Sequence, residues 1–92
     1  MYKKYKQDKE KEIVLLKLAH NFERREMDDE AEKTYLKCTK FNIAEAFFRL
    51  GNLQIKNGRI ETGVENLEKA NCLNRDNLDI EIKLVYGYSL LD

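Results

Sequence analysis

The residues that could carry chemistry are few, and their spacing does not support it. His20 is the only histidine in the 92 residues, and Cys38 and Cys72 are the only cysteines. A metal centre needs several such ligands at set intervals, and His20 has no companion at one. Acyl or phosphoryl transfer needs a nucleophile beside a base, or a glycine-rich phosphate loop. No Ser-His-Asp, Cys-His or phosphate-loop pattern occurs, and the four glycines have turn or helix-contact explanations. The 17 carboxylates stand against 17 lysines and arginines, mostly as exposed helix partners. The expectation is a protein that is not an enzyme and holds no metal and no cofactor. His20 is then a structural or groove-edge side chain, Cys38 a buried packing residue, and Cys72 a partly exposed thiol near a helix end.

Binding is the work that remains. The formal net charge is zero, so no global field draws the chain to nucleic acid or a membrane surface. The absence of proline, with charged residues at 37%, points to a mostly helical chain in one small domain, 1–92. The start, MYKKYKQDKEKE, lacks the apolar run of a signal peptide, and no stretch approaches the roughly 18 apolar residues of a membrane span. Two cysteines without disulfide or metal spacing suit a reduced, cytoplasmic setting.

Five helices are expected to position these side chains. Residues 1–11 read as a lysine-rich, solvated lead-in that turns helical near Lys6 to Lys9. RNA binding through Lys3, Lys4, Lys6, Lys9 and Lys11 is the weakest reading of it. In 12–26, Leu15, Leu18, Ala19 and Phe22 form a helical stripe, with Ile13, Leu16 and His20 on a second; two stripes predict a helix covered on more than one side. Asp28 or Asp29 is expected to cap a helix over about 29–40, with Ala31, Tyr35 and Cys38 inward and an Asp29–Lys33 pair outside. Asn42 is expected to cap the third helix, about 43–57, in a capping box with Glu45. There Phe47, Leu50, Gly51 and Gln54 share one stripe and Phe48, Asn52 and Ile55 the next, while Ala46 and Leu53 face the preceding pair. Gly58 suits a left-handed turn. A fourth helix, about 60–73, carries Ile60, Gly63, Val64, Leu67 and Ala70 inward, with a Glu65–Lys69 pair outside. A fifth, about 78–91, carries Leu84, Val85 and Tyr88, with Ile82, Tyr86 and Ser89 beside them.

The chain repeats itself. Leu18-Ala19 becomes Leu50-Gly51 after 32 residues, and Leu50 becomes Leu84 after 34. A small partner follows twelve residues behind twice, Ala19 to Ala31 and Gly51 to Gly63. Two helices approach closely only where both present a small side chain, and one such hairpin buries its apolar face only by stacking on neighbours. On these residues the chain resembles a tetratricopeptide repeat (TPR) protein. Residues 44–77 carry Phe47, Leu50, Gly51, Gly58, Gly63, Leu67 and Ala70 at matching places, departing at Gln54, where the family prefers Tyr, and at Arg75, where it prefers Pro. Residues 12–43 match through Leu15, Leu18, Ala19, Phe22, Ala31, Tyr35 and Cys38. Residues 78–92 match a first helix only, through Leu84 and Tyr88, as an incomplete third repeat or a capping helix.

The resemblance implies an all-α fold: helix-turn-helix repeats stacked as a short right-handed superhelical α-solenoid of five helices. It also implies a non-catalytic protein–protein interaction module, a scaffold, adaptor or chaperone-like protein, whose first helices line a concave groove for a peptide or helix. The groove residues would be Leu16, His20, Phe48, Asn52, Ile55, Ile82 and Tyr86, flanked by Ile13, Arg24, Glu45, Lys56, Asp79 and Ser89. Leu16, Phe48 and Ile82 would form an apolar row, and His20, Asn52 and Tyr86 a polar row; simple packing of the apolar row is an equally open reading. The carboxylate clamp of some co-chaperones in the family needs Lys and Asn four residues apart. Here those places hold Leu16 with His20 and Phe48 with Asn52, so no such clamp is expected. The alternative is self-association. Leu84, Leu90 and Leu91 have no following helix in sequence. Residues 1–11 carry five lysines against Asp8 and Glu10, net +3, and residues 76–92 carry Asp76, Asp79, Glu81 and Asp92 against Lys83, net −3. A homo-oligomer would follow from such ends; nucleic acid and membrane are not expected partners.

Overall fold

The computed structural model describes residues 2–92, with side chains from residue 9 onward. The reading of Lys3, Lys4 and Lys6 as an RNA contact therefore lies outside the described side chains. Among the described residues there are five α-helices: α1 (Tyr2–Arg24), α2 (Asp28–Cys38), α3 (Ala44–Lys56), α4 (Ile60–Leu73) and α5 (Leu78–Leu91). A 3-10 turn, Thr39–Phe41, joins α2 to α3, and no strand is present among the described residues. The lead-in is helical from Tyr2, earlier than its charge density suggested. Lys, Glu and Gln are good helix formers, and Lys9 lies 3.9 Å from Glu12 one turn on.

Two turns use one device. After α3, Gly58 at φ 90° lets its N–H reach the Ile55 carbonyl at 3.1 Å and the Arg59 N–H reach the Gln54 carbonyl at 2.8 Å. After α1, Glu26 takes the left-handed conformation at φ 60°, its N–H donates to Glu23 O at 3.0 Å, and the Met27 N–H donates to Phe22 O at 2.9 Å. Both are double-bonded helix ends with a left-handed residue just past the cap. The expected caps differ. Met27, not Asp28 or Asp29, precedes α2, and no side chain caps it. The two aspartates lie inside the first turn, where they face the positive end of the helix dipole. Asn42 is left-handed at φ 54° and closes the 3-10 turn, so Ile43 precedes α3 and the capping box does not form. Glu45 pairs instead with Arg49 Nε at 2.7 Å. Asn77 does cap α5, accepting from the Ile80 N–H at 3.1 Å.

Each helix packs on its neighbours in sequence, and α3 also touches α5. Along α3, Phe47 meets Ala70, Gly51 meets Gly63 and Leu67, and Ile55 meets Gly63, so positions rise on one helix as they fall on the other. The pair is antiparallel. The same logic pairs Ile80 with Ala70, Leu84 with Leu67 and Gly87 with Val64, setting α5 antiparallel to α4. A Cβ on Gly51 would stand 2.7 Å from the Gly63 carbonyl, and one on Gly63 would stand 2.7 Å from the Gly51 carbonyl. Only glycine permits that approach. Ala19 and Ala31, fully buried with Tyr35, Leu50 and Leu53, are the counterpart in the first hairpin. A polar chain ties the hairpins: Asn66 Nδ2 donates to Gln54 Oε1 (2.7 Å), Gln54 Nε2 donates to Glu32 Oε2 (3.5 Å), and Arg59 donates two bonds to Glu32.

Several stripes are covered differently from expectation. Over its described side chains α1 is covered on one side only, and Ile13, Val14 and Leu18 are exposed. On α5 the buried line is Ile80, Leu84 and Gly87, leaving Val85 and Tyr88 exposed. The Asp29–Lys33 and Glu65–Lys69 pairs do not close among the described residues; Lys69 Nζ lies 5.7 Å from the Phe47 ring centre instead. No helix among the described residues is long and apolar enough to cross a membrane.

Candidate functional site

Asn52, Ile55 and Tyr86 are brought together. They line a hollow of about 480 Å³ between α1, α3 and α5, with Glu23, Leu53, Lys56 and Lys83. Ile55 forms its floor, wedged against the two glycines that let the helices close, Gly63 and Gly87. The Asn52 Oδ1 is buried and accepts no hydrogen bond among the described residues, as is also the case for Asp28 Oδ1 and Asn71 Oδ1 elsewhere. A buried acceptor of this kind is costly to leave unpaired, and a turn of the Asn52 amide would bring it to a donor in the hollow. Each of the two cations beside it has a partner. Lys83 Nζ lies 5.6 Å from the Tyr86 ring centre, and Lys56 Nζ lies 3.4 Å from Asp28 Oδ2.

Leu16 and His20 belong elsewhere. They line a smaller hollow of about 130 Å³ with Lys17, Tyr35, Glu45 and Arg49. Three of its polar groups, Tyr35, Glu45 and Arg49, are paired within the chain. The Tyr35 hydroxyl donates to Glu23 at 2.7 Å, and burial followed by that carboxylate pushes the phenol far above its ordinary value. The Glu45 carboxylate likewise holds the Arg49 guanidinium more firmly protonated. Leu16 is half-buried against the Ala19–Tyr35–Leu53 cluster. Phe48 turns inward and packs on two clusters, one with Phe47, Ala70 and Ile80 and one with Val64, Leu67 and Leu84. Ile82 is exposed and lines neither hollow. The expected apolar row is therefore interrupted at Phe48, and the polar row divides, His20 in the small hollow and Asn52 with Tyr86 in the larger.

Glu23, Leu53 and Lys83 were missed as hollow-lining residues, yet the repeat register holds a signal for them. Glu23 is the counterpart of Ile55 at an offset of 32. Lys17, Arg49 and Lys83 follow one another at offsets of 32 and 34, a basic residue in each first helix, and all three line these hollows.

A third hollow, about 530 Å³, opens between the start of α3 and the end of α4, beside Phe47, Glu68, Lys69 and Cys72. It contains none of the expected residues and no unpartnered buried polar atom. Glu68 already accepts the Tyr88 hydroxyl at 2.7 Å. Cys72 is exposed and Cys38 buried, both as free thiols, and burial pushes the Cys38 thiol up. No three His, Cys, Asp or Glu side chains gather as a metal centre among the described residues. A scan against models of protein families gives no match, and none of the curated proteins matches the chain.

Proposed function

We propose that this chain is a TPR-like protein, a short right-handed α-solenoid, and that it works as a non-catalytic module binding a peptide or helix in the groove of its first helices. The observation that carries the reading is the hollow shared by α1, α3 and α5, with the unpartnered Asn52 Oδ1 beside Ile55 and Tyr86. An apolar floor with a few placed polar groups suits a polypeptide segment: the amide oxygen takes a backbone N–H, and the Tyr86 ring packs on its side chains. Lys56 and Lys83 favour a segment with an acidic residue near that point. The antiparallel α3–α4 hairpin and the small-residue contacts at Ala19–Ala31 and Gly51–Gly63 support the family reading.

Selection from a displayed random-peptide library tests the function. The wild-type chain should enrich a consensus, and Asn52→Ala with Tyr86→Ala should lose it while keeping full helicity by circular dichroism. Both side chains lie outside the packed clusters, so the double variant should fold. Enrichment of the same consensus by a folded double variant would sink the groove reading.

A further inference from the structure

The register that relates the first helices also shows which of their faces have met a neighbour. On α3, Ala46, Leu50 and Leu53 are buried, Leu50 and Leu53 in one cluster with Ala31 and Tyr35 of α2. On α5, the equivalents Ile80, Leu84 and Gly87 are buried against α4. On α1 the same places hold Val14, Leu18 and Asn21, and here Val14 is 60% and Leu18 42% exposed. A second uncovered face lies on α5. Leu78, Ile82 and Val85 recur at helical spacing opposite the buried line, and are 67%, 56% and 66% exposed.

These two apolar stripes carry opposite charge. Lys11 lies one turn before Val14 and Arg25 just past the end of α1 beyond Asn21, while Lys17 and Glu10 border the line. Ser89 and Asp92 continue the α5 stripe, and Glu81 borders it. Over residues 9–25, Lys9, Lys11, Lys17, Arg24 and Arg25 stand against Glu10, Glu12 and Glu23, net +2; over 78–92, Asp79, Glu81 and Asp92 stand against Lys83, net −2.

We propose that the occupant of each face is a second copy of this chain. The Leu78–Ile82–Val85 face of α5 docks on the Val14–Leu18 face of α1 in the next copy, head to tail. Pairing α5 with α5 would set acid against acid, and pairing α1 with α1 would set base against base; only the mixed pairing joins complementary fields. Because each copy offers a different patch, the contact is heterologous and adds copies in series. A single helix-on-helix seam is small, which makes it weak and, with charged margins, sensitive to salt. It leaves the Asn52 hollow free, since none of the stripe residues lines it.

Sedimentation equilibrium of the full chain, at up to about 1 mM and at low and high salt, tests this with two variants, Leu18→Glu and Val85→Glu. Each puts a carboxylate into one of the two faces at an already exposed position, so circular dichroism should show unchanged helicity. The wild type should grow beyond a dimer with concentration, and less so at high salt. Each variant alone should stay monomeric, its association weakened at least about tenfold. An equimolar mixture should form one-to-one pairs and stop there, because each variant keeps one working face. A wild type that stays monomeric, a single variant that still dimerises, or a mixture that does not pair would each overturn the proposal. None of these outcomes bears on peptide selection through Asn52 and Tyr86.

Discussion

Gln54 shows how one side chain couples two hairpins. It is 4% exposed, at a place where the resembled family prefers an aromatic. Its amide accepts from Asn66 and donates towards Glu32, so α2, α3 and α4 share one polar chain. Gln54→Leu keeps the volume and removes both bonds, while Glu32 keeps Arg59 and the Asn66 amide keeps the Thr62 carbonyl at 3.3 Å. The expected cost is about 1 kcal/mol, read as a lower urea midpoint. The same chain sets an acid response. The Arg59 guanidinium holds the Glu32 carboxyl below its ordinary 4.5, against an opposing push from burial. A carboxyl depressed in the folded state contributes stability that is complete above its unfolded value and is lost as pH falls through the folded one. Wild type and Glu32→Gln should therefore differ in thermal midpoint at neutral pH and converge as pH drops below about 4. A gap that persists at lower pH would show that packing, not the ion pair, distinguishes them.

At the scale of the element, the left-handed residue after each first helix is the informative comparison. Gly58 has no neighbour that a Cβ would meet, and its φ of 90° alone makes glycine the right residue. Glu26 holds the equivalent place 32 residues earlier at φ 60° and carries the strain of a side chain there. Glu26→Gly should stabilise the protein by about 1 kcal/mol, measured by chemical denaturation. Unchanged or lower stability would mean that the Glu26 side chain contributes something the turn geometry does not show. The helix-contact glycines should respond oppositely and unequally. At Gly51 an added Cβ meets a backbone carbonyl at 2.7 Å and Leu67 Cγ at 2.9 Å, whereas at Gly87 its close contact is Val64 Cγ2, at 2.7 Å. A valine methyl can rotate away and a helix backbone cannot. Gly51→Ala should cost roughly 1–3 kcal/mol. Gly87→Ala should cost less, because the gain of about 1 kcal/mol in helix propensity offsets part of the crowding.

Over the whole molecule, packing runs mainly from helix to adjacent helix, with a smaller α3–α5 contact, so α3 and α4 sit inside and α1 and α5 at the two ends. The body is elongated, 48 × 29 × 18 Å, with α3 and α4 in the most extensive contact. Stability should be graded accordingly. Amide hydrogen exchange at dilute concentration should be slowest in α3 and α4 and fastest in the exposed stretch of α1 over residues 9–14. Uniform protection along the chain would contradict that gradient. The same one-sidedness leaves the outer stripes of α1 and α5 uncovered and gives head-to-tail association its surfaces.

The amino-acid sequence by itself determined what is local: the number of helices, the bounds of α4 and α5, the Gly58 turn, and the close approach of Gly51 to Gly63. Helical periodicity, backbone freedom and the size of a side chain need no knowledge of neighbours. It also placed Asn52, Ile55 and Tyr86 on a common side, because the register carries one helix face onto the next. Only the tertiary structure decided burial. Leu18, Leu50 and Leu84 are equivalent by register, yet Leu18 is exposed and the other two are buried, because no helix among the described residues covers that side of α1. Phe48 and Ile82 are equivalent too, and one packs inward while the other faces outward. Register says which way a side chain points along its own helix; whether anything lies there depends on the neighbouring elements, and that is a property of the assembled chain.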